Sequence, residues 1–260
     1  MPNGVVVRPN VEQANITALR DAYAKMQAIS ATDNRSWIFW AGYHGFPQFA
    51  CWHHARVDQT RFPYDLFLPW HRAYLTGWDH VTRDQNPDAI LPWWDWTSDL
   101  SHQVGIPAPY STPQLNGDSN PLASGPRADM PGNPAGQTTR SPDDPALLPT
   151  IEQIQALINL SDFIDFSNQL QDVHDGIHGW VSGDMGVIAT SAFDPLFWAH
   201  HCMIDRIWYL WQLHNGINNI PRSYLGRPLA PFNYTVQEVL DIGCLGYQYA
   251  SSSISAPGTP

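Results

Sequence analysis

Apolar residues return every three or four positions along several stretches of this chain, with polar residues between them. Between residues 11 and 30, Ile16, Leu19, Tyr23, Met26 and Ile29 follow at spacings of 3, 4, 3 and 3. That period lines one face of an amphipathic helix. SWIFWAGYHG (36–45) predicts a further helical run after a cap at Asp33 or Asn34. DLFLPWHRAYLTGWDHVTRD (65–84) predicts a long helix that tolerates Pro69 near its first turn. Helical patterning returns at about 150–180 and 194–215, and more weakly at 235–241. VVVR (5–8) suits a short edge strand. Residues 101–149 are rich in Pro, Gly, Ser, Asn and Asp and lack periodicity, which predicts one long irregular surface loop. The low-complexity end, 251–260, predicts a disordered tail. No fixed-period repeat and no composition shift divides the chain, so 1–250 reads as a single, mostly α domain.

Composition narrows the function classes. With 43% hydrophobic and 14% charged residues the chain can bury a sizeable core. A formal charge of −11, with only 13 scattered Lys and Arg, argues against nucleic-acid binding. No apolar run approaches the roughly 18 residues of a transmembrane helix, so no membrane partner is expected. MPNGVVVRPN lacks the basic and apolar regions of a signal peptide, so the default expectation is cytoplasmic. Export alongside a partner protein stays open. Cys51, Cys202 and Cys244 are odd in number and widely spaced, which is no disulfide framework.

The histidines carry the chemistry. There are eleven, and most sit in aromatic, apolar surroundings, in two groups either side of the long loop. The first group lies in YHGFPQFACWHH and FLPWHRAYL, the second in HDGIH and FDPLFWAHHCMIDRIW. Any one alone reads as a hydrogen-bonded core residue. Many together do not, because each buried imidazole must be satisfied, and a metal ion satisfies several at once. His174 and His178 are four residues apart, on one face of a helix. Donors that are nearly all imidazole suit Cu, Zn, Fe or Ni rather than Mg or Ca. A zinc protease helix would read His-Glu-x-x-His, whereas HDGIH places Asp175 where that Glu would stand. A zinc hydrolase is therefore only an alternative.

FLPWHRAYL (67–75) and DPLFWAHHCMIDRIW (194–208) resemble the two copper-binding signatures of the type 3 copper family. That family includes tyrosinases, catechol oxidases, o-aminophenol oxidases and molluscan hemocyanins. LPWWDW (91–96) and GYQY (246–249) resemble further family stretches, so the likeness covers roughly 36–250. It implies a four-helix bundle core housing a dinuclear copper site, with long irregular loops and few short strands. By motif, one copper would be held by His174, His178 and His201, with His200 a packing neighbour or a group near substrate. The other would be held by His44, His71 and a third histidine. Many members place that third ligand nine residues before the PWHR histidine, where this chain has Phe62. The candidates are His53 and His54. CWH (51–53) resembles an element in which a cysteine sulfur is crosslinked to a ligand histidine as a thioether, which favours His53 and gives Cys51 a role. The alternative for Cys51 is a small buried hydrophobe.

The resemblance also implies an activity. Two copper ions with dioxygen would oxidise a small phenolic substrate, an o-diphenol or an o-aminophenol, to an o-quinone or quinone imine. Ortho-hydroxylation of monophenols stays open. Asp175 matches the Asn or Asp that often follows the first ligand of the second copper, as a base. Gln171 and Asp172 stand where many members have a Glu. Ile188, thirteen residues before His201, takes the position that can roof the site. Asp205, one turn beyond His201, would orient a ligand ring or else pair with Arg206 or another Arg. Tyr110 or Arg127 would touch substrate, or only pack the loop. A reversible oxygen carrier would use the same six histidines. The chain ends about ten residues after GYQY, which leaves no room for a shielding domain and favours an open oxidase. A copper-loading partner protein is compatible with the sequence, and the oligomeric state is unread.

Overall fold

A computed structural model describes residues 4–44, 65–129, 132 and 134–251. The fold is mostly helical. Helix α1 (Ile16–Ala28) starts where the Asn15 side chain accepts from Ala18 N at 3.2 Å, and it buries Leu19, Tyr23 and Met26 as the spacing predicts. The short α2 (Trp37–Ala41) is capped by Ser36, whose hydroxyl accepts from Phe39 N at 3.1 Å. The expected cap at Asp33 or Asn34 is thus corrected. The Asp33 carboxylate is taken by Arg35 at 2.7 Å, and the helix begins only after it.

Helix α3 (Phe67–Gln85) follows the sequence closely, with Pro69 as its third residue. The 101–149 stretch is not one irregular loop. It overlaps α4 (Asp99–Val104) and contains α5 (Ala108–Ser111). Two hairpins also lie within it: β2 (Gln114–Leu115) with β3 (Asp118–Ser119), and β4 (Pro126–Arg127) with β5 (Gly136–Gln137). Elements of two to six residues are too short to show a period. The 150–180 run is two helices. Thr150 and Gln153 form a capping box on α6 (Ile151–Ile158), and Asp162 caps α7 (Phe163–Val181). A single turn, α8 (Ile188–Ser191), precedes α9 (Pro195–Asn215). Helix α9 starts with Asp194 as cap and Pro195 at its first position. The weaker pattern at 235–241 yields only a 3-10 turn, Gln237–Val239.

Helix α3 lies at the centre, with α1, α7 and α9 packed on it and α6 bracing α9. Aromatic rings fill the α3–α9 seam. Trp78 stacks on Trp198 with centroids 3.5 Å apart, and Trp37 meets Trp78 edge-on at 4.8 Å. All three are fully buried, and rings of this size bury more apolar surface than any other side chain. The expected edge strand is β1 (Val6–Arg8), paired in parallel with β6 (Tyr247–Tyr249). That pairing sets Arg8, Tyr247 and Tyr249 against Asp205 of α9. Among the described residues, no helix is long and apolar enough to cross a membrane.

Candidate metal centre

Helices α7 and α9 bring three histidines of the second group together. His174 Nε2 lies 3.2 Å from His201 Nε2, and His178 Nε2 lies 3.3 Å from the same atom. The other nitrogen of each α7 histidine is already committed. His174 Nδ1 lies 2.9 Å from the Asp175 carboxylate, and His178 Nδ1 lies 2.6 Å from Met185 O. A carboxylate and a carbonyl only accept, so both Nδ1 atoms carry the proton and both Nε2 atoms present lone pairs. A single proton on His201 Nε2 satisfies at most one of them well. A cation between the three satisfies all. At about 2.0 Å from a first-row metal, nitrogens in tetrahedral directions stand about 3.3 Å apart. The observed spacings match that separation, so these residues fit a metal ion.

The first group is built on α3 and the turn after α2. His71 Nδ1 donates to Phe67 O at 2.9 Å, one turn back on its own helix. His44 Nδ1 donates to Ile188 O at 2.8 Å. Again Nδ1 is the anchored donor and Nε2 the presented atom. His71 stacks on His201 with centroids 4.6 Å apart, which brings the two groups into contact. Phe197 stacks on His201 at 3.9 Å, and Phe67 sits against both His71 and His174. This apolar packing keeps the imidazoles neutral. Burial holds His178 down to about 4 and His44 down to about 3, and it holds His71, His200 and His201 well below the usual histidine value. Metal ligation needs neutral rings, so the electrostatics suit the geometry.

The remaining expectations divide. His53, His54 and Cys51 lie outside the described residues. His200 is fully buried, with its ring parallel to His174 at 5.2 Å, and it belongs to the same four-histidine cluster as His174, His178 and His201. Among the described residues it is not part of the cavity wall, and its ring packs on that of His174. Asp175 takes the ring-orienting position expected of Asp205. Asp205 is corrected too, because its oxygens are engaged elsewhere. Arg72 Nε donates to Oδ1 at 2.5 Å, and Tyr247 and Tyr249 donate to Oδ2 at 2.7 and 2.6 Å. The partner is another Arg, as the alternative allowed, and not Arg206. Gln171 donates to the buried Asp65 at 3.3 Å. Tyr110 is fully buried and Arg127 pairs with Asp184, so both pack the loop.

A cavity of about 200 Å³ opens over the histidines. His44, His174 and His178 form part of its wall, with Asp175, Ile188 and Ser191 beside them. Ile188 is half exposed at 52%, and its apolar side chain lines the cavity. The acceptors Met185 O and Ile188 O were not legible in the sequence, because backbone carbonyls leave no signature in residue type.

Neutral imidazoles converging through Nε2 from several packed helices define a helical, histidine-ligated metal protein. The chain belongs to the tyrosinase family: the model of the common central domain of tyrosinase matches residues 34–214. That makes it a type 3 copper protein, and the histidine cluster is compatible with the family's two copper ions. Hemocyanin units G and H of Sepia officinalis are 29% identical over 251 residues, covering 88% of this chain and 42% of that protein. Tyrosinase of Streptomyces glaucescens is 28% identical over 191 residues, covering 60% of this chain and 66% of that protein. The solved tyrosinase of Burkholderia thailandensis at high pH superposes with a TM-score of 0.81 at 22% identity, over 99% of this chain and 76% of that one. It shows the same fold. The chain spans less than half the length of the cephalopod hemocyanins it matches.

Proposed function

We propose that this domain is a dinuclear copper oxidase that uses O2 to convert o-diphenols or o-aminophenols to o-quinones or quinone imines. His174, His178 and His201 would hold one copper. His44 and His71, with His53 from the 45–64 segment, would hold the other. When bound, the copper pair supplies the redox chemistry between the phenolic substrate and dioxygen.

The observation that carries this reading is the open cavity that reaches histidines of both groups. An oxygen carrier needs a passage for O2 alone, whereas a cavity of about 200 Å³ has the volume for an aromatic ring. Within it the chain's own residues have separate tasks. Ile188 and Met185 offer apolar surface to the ring and limit its approach. The Asp175 carboxylate, on the cavity wall, accepts the first hydroxyl proton as substrate docks. It also holds the Nδ1 proton of His174, which leaves the lone pair on Nε2 to face the metal. The family match selects copper over the zinc-hydrolase alternative.

A second reading, a reversible oxygen carrier, draws on the hemocyanin relatives, which match more of this chain than the Streptomyces tyrosinase does. Oxygen uptake by the copper-loaded protein with catechol, o-aminophenol and a monophenol separates the two. Steady O2 consumption with coloured quinone product supports the oxidase. Reversible O2 binding without turnover overturns it in favour of the carrier.

A further inference from the structure

Two histidines, one from each group, are aimed by carbonyls of one short segment. Met185 O accepts from His178 Nδ1 at 2.6 Å, and Ile188 O accepts from His44 Nδ1 at 2.8 Å. Ser191 adds its hydroxyl, 3.3 Å from His44 Nδ1 and 3.2 Å from Ile188 O. Residues 182–191 therefore set the ring of one histidine in each group, and Met185, Ile188 and Ser191 also line the cavity.

This segment is held in place from outside. It leaves α7 through Ser182 and Gly183, with φ of 56° and 58°. A Cβ at Gly183 would lie 2.2 Å from Thr139 O, so the backbones approach more closely than any side chain allows. Asp184 comes next, and it is buried. Its Oδ2 accepts from Thr139 N at 2.8 Å and from Thr139 Oγ1 at 3.2 Å, while Arg127 donates to Oδ1. Asp184 N returns a bond to Thr139 O at 2.9 Å, and Thr190 Oγ1 donates to Asp184 O at 3.0 Å. Both carboxylate oxygens and both backbone groups of one residue are thus tied, immediately before the two aiming carbonyls.

We propose that Asp184, clamped by Arg127 and Thr139, is a positioning residue for both coppers at once. It fixes where the 185 and 188 carbonyls stand, and through them the direction of His178 and His44. The inference rests on reading these histidines as copper ligands. Its distinctive consequence is paired loss. A fault at one histidine weakens one copper, whereas a loosened clamp weakens one ligand of each.

The test uses the full chain loaded with copper. Asp184→Asn is compared with Met26→Ala, which opens a hole in the core on α1 and lowers stability without touching the clamp. Copper per chain, the rate of copper transfer to a chelator and the urea midpoint of each metal-free protein are measured. The clamp predicts about tenfold faster release from Asp184→Asn, the low end of what loss of a ligand's orienting partner causes. Both coppers should leave in one accelerated phase, while Met26→Ala releases at the wild-type rate despite its lower midpoint. Arg127→Met leaves Thr139 on the carboxylate and carries the same test if Asp184→Asn does not fold. Release at the wild-type rate, acceleration of one copper only, or equal acceleration in Met26→Ala overturns the clamp. A wild-type chain that binds fewer than two coppers overturns the copper reading itself, and the clamp's role with it.

Discussion

Asp205→Asn should be among the most damaging single-atom changes in this protein. Asp205 is 3% exposed and faces two fully buried guanidiniums. Arg72 donates to it at 2.5 Å, and Arg8 stands 3.8 Å away. Burial alone would push the carboxyl up, but the charges of Arg72 and Arg8 and the hydroxyls of Tyr249 and Tyr247 outweigh it and hold it below its ordinary value. Arg72 also reaches Gln212, Val239 O and Leu240 O, so the network ties α3, α9 and the C-terminal strand together. Removing the anion leaves two buried cations without their shared counter-charge. Breaking a buried ion pair from one side costs about 3–5 kcal/mol. Tyr249→Phe removes one bond to a charged acceptor and should cost only about 1.5–3 kcal/mol. The assay is urea unfolding of the metal-free proteins at pH 7, with equal slopes as the check on two-state behaviour. A cost below about 1 kcal/mol for Asp205→Asn would refute the reasoning, because that is the behaviour of an exposed pair.

Other predictions follow from the same geometry. His201→Phe should leave one copper per chain, while His200→Phe, which replaces a ring packed on His174, should keep two; metal analysis decides. Ser182 sits at φ 56° and ψ −163°, a region that costs a non-glycine residue about 1–3 kcal/mol, so Ser182→Gly should stabilise the fold by about 1 kcal/mol and not weaken it. The metal-free protein should lose stability as pH falls below about 6.5, where unfolded histidines begin to take up protons that His178 and His44 refuse until about 4 and about 3. Each such group adds a slope of about 1.4 kcal/mol per pH unit within its window, and a flat urea midpoint between pH 6.5 and 4 would contradict it.

The sequence carried those parts of the site that ride on regular helices. His174 and His178 are one turn apart on α7, and His71 and His201 sit inside long periodic runs, so helix geometry alone places them. What escaped depends on distant parts of the chain. Asp205 lies 42 and 44 residues from the tyrosines that bind it and 133 from Arg72, and no local pattern links them. The two hairpins within 101–149 have two-residue strands, below the length at which alternation can be seen. Ser36 rather than Asp33 caps α2 because a neighbouring arginine claims the aspartate. Asp184 looked like any acidic loop residue, since its importance comes from Thr139 and Arg127 folding back over it.

The most direct test of the central claim is copper content of the purified, copper-loaded protein, read together with its optical spectrum after hydrogen peroxide is added. Two coppers per chain, no electron paramagnetic resonance signal in the oxidised protein and a strong new near-ultraviolet band are the predicted result. A single copper with an ordinary paramagnetic signal and no band would contradict a coupled copper pair held by these histidines.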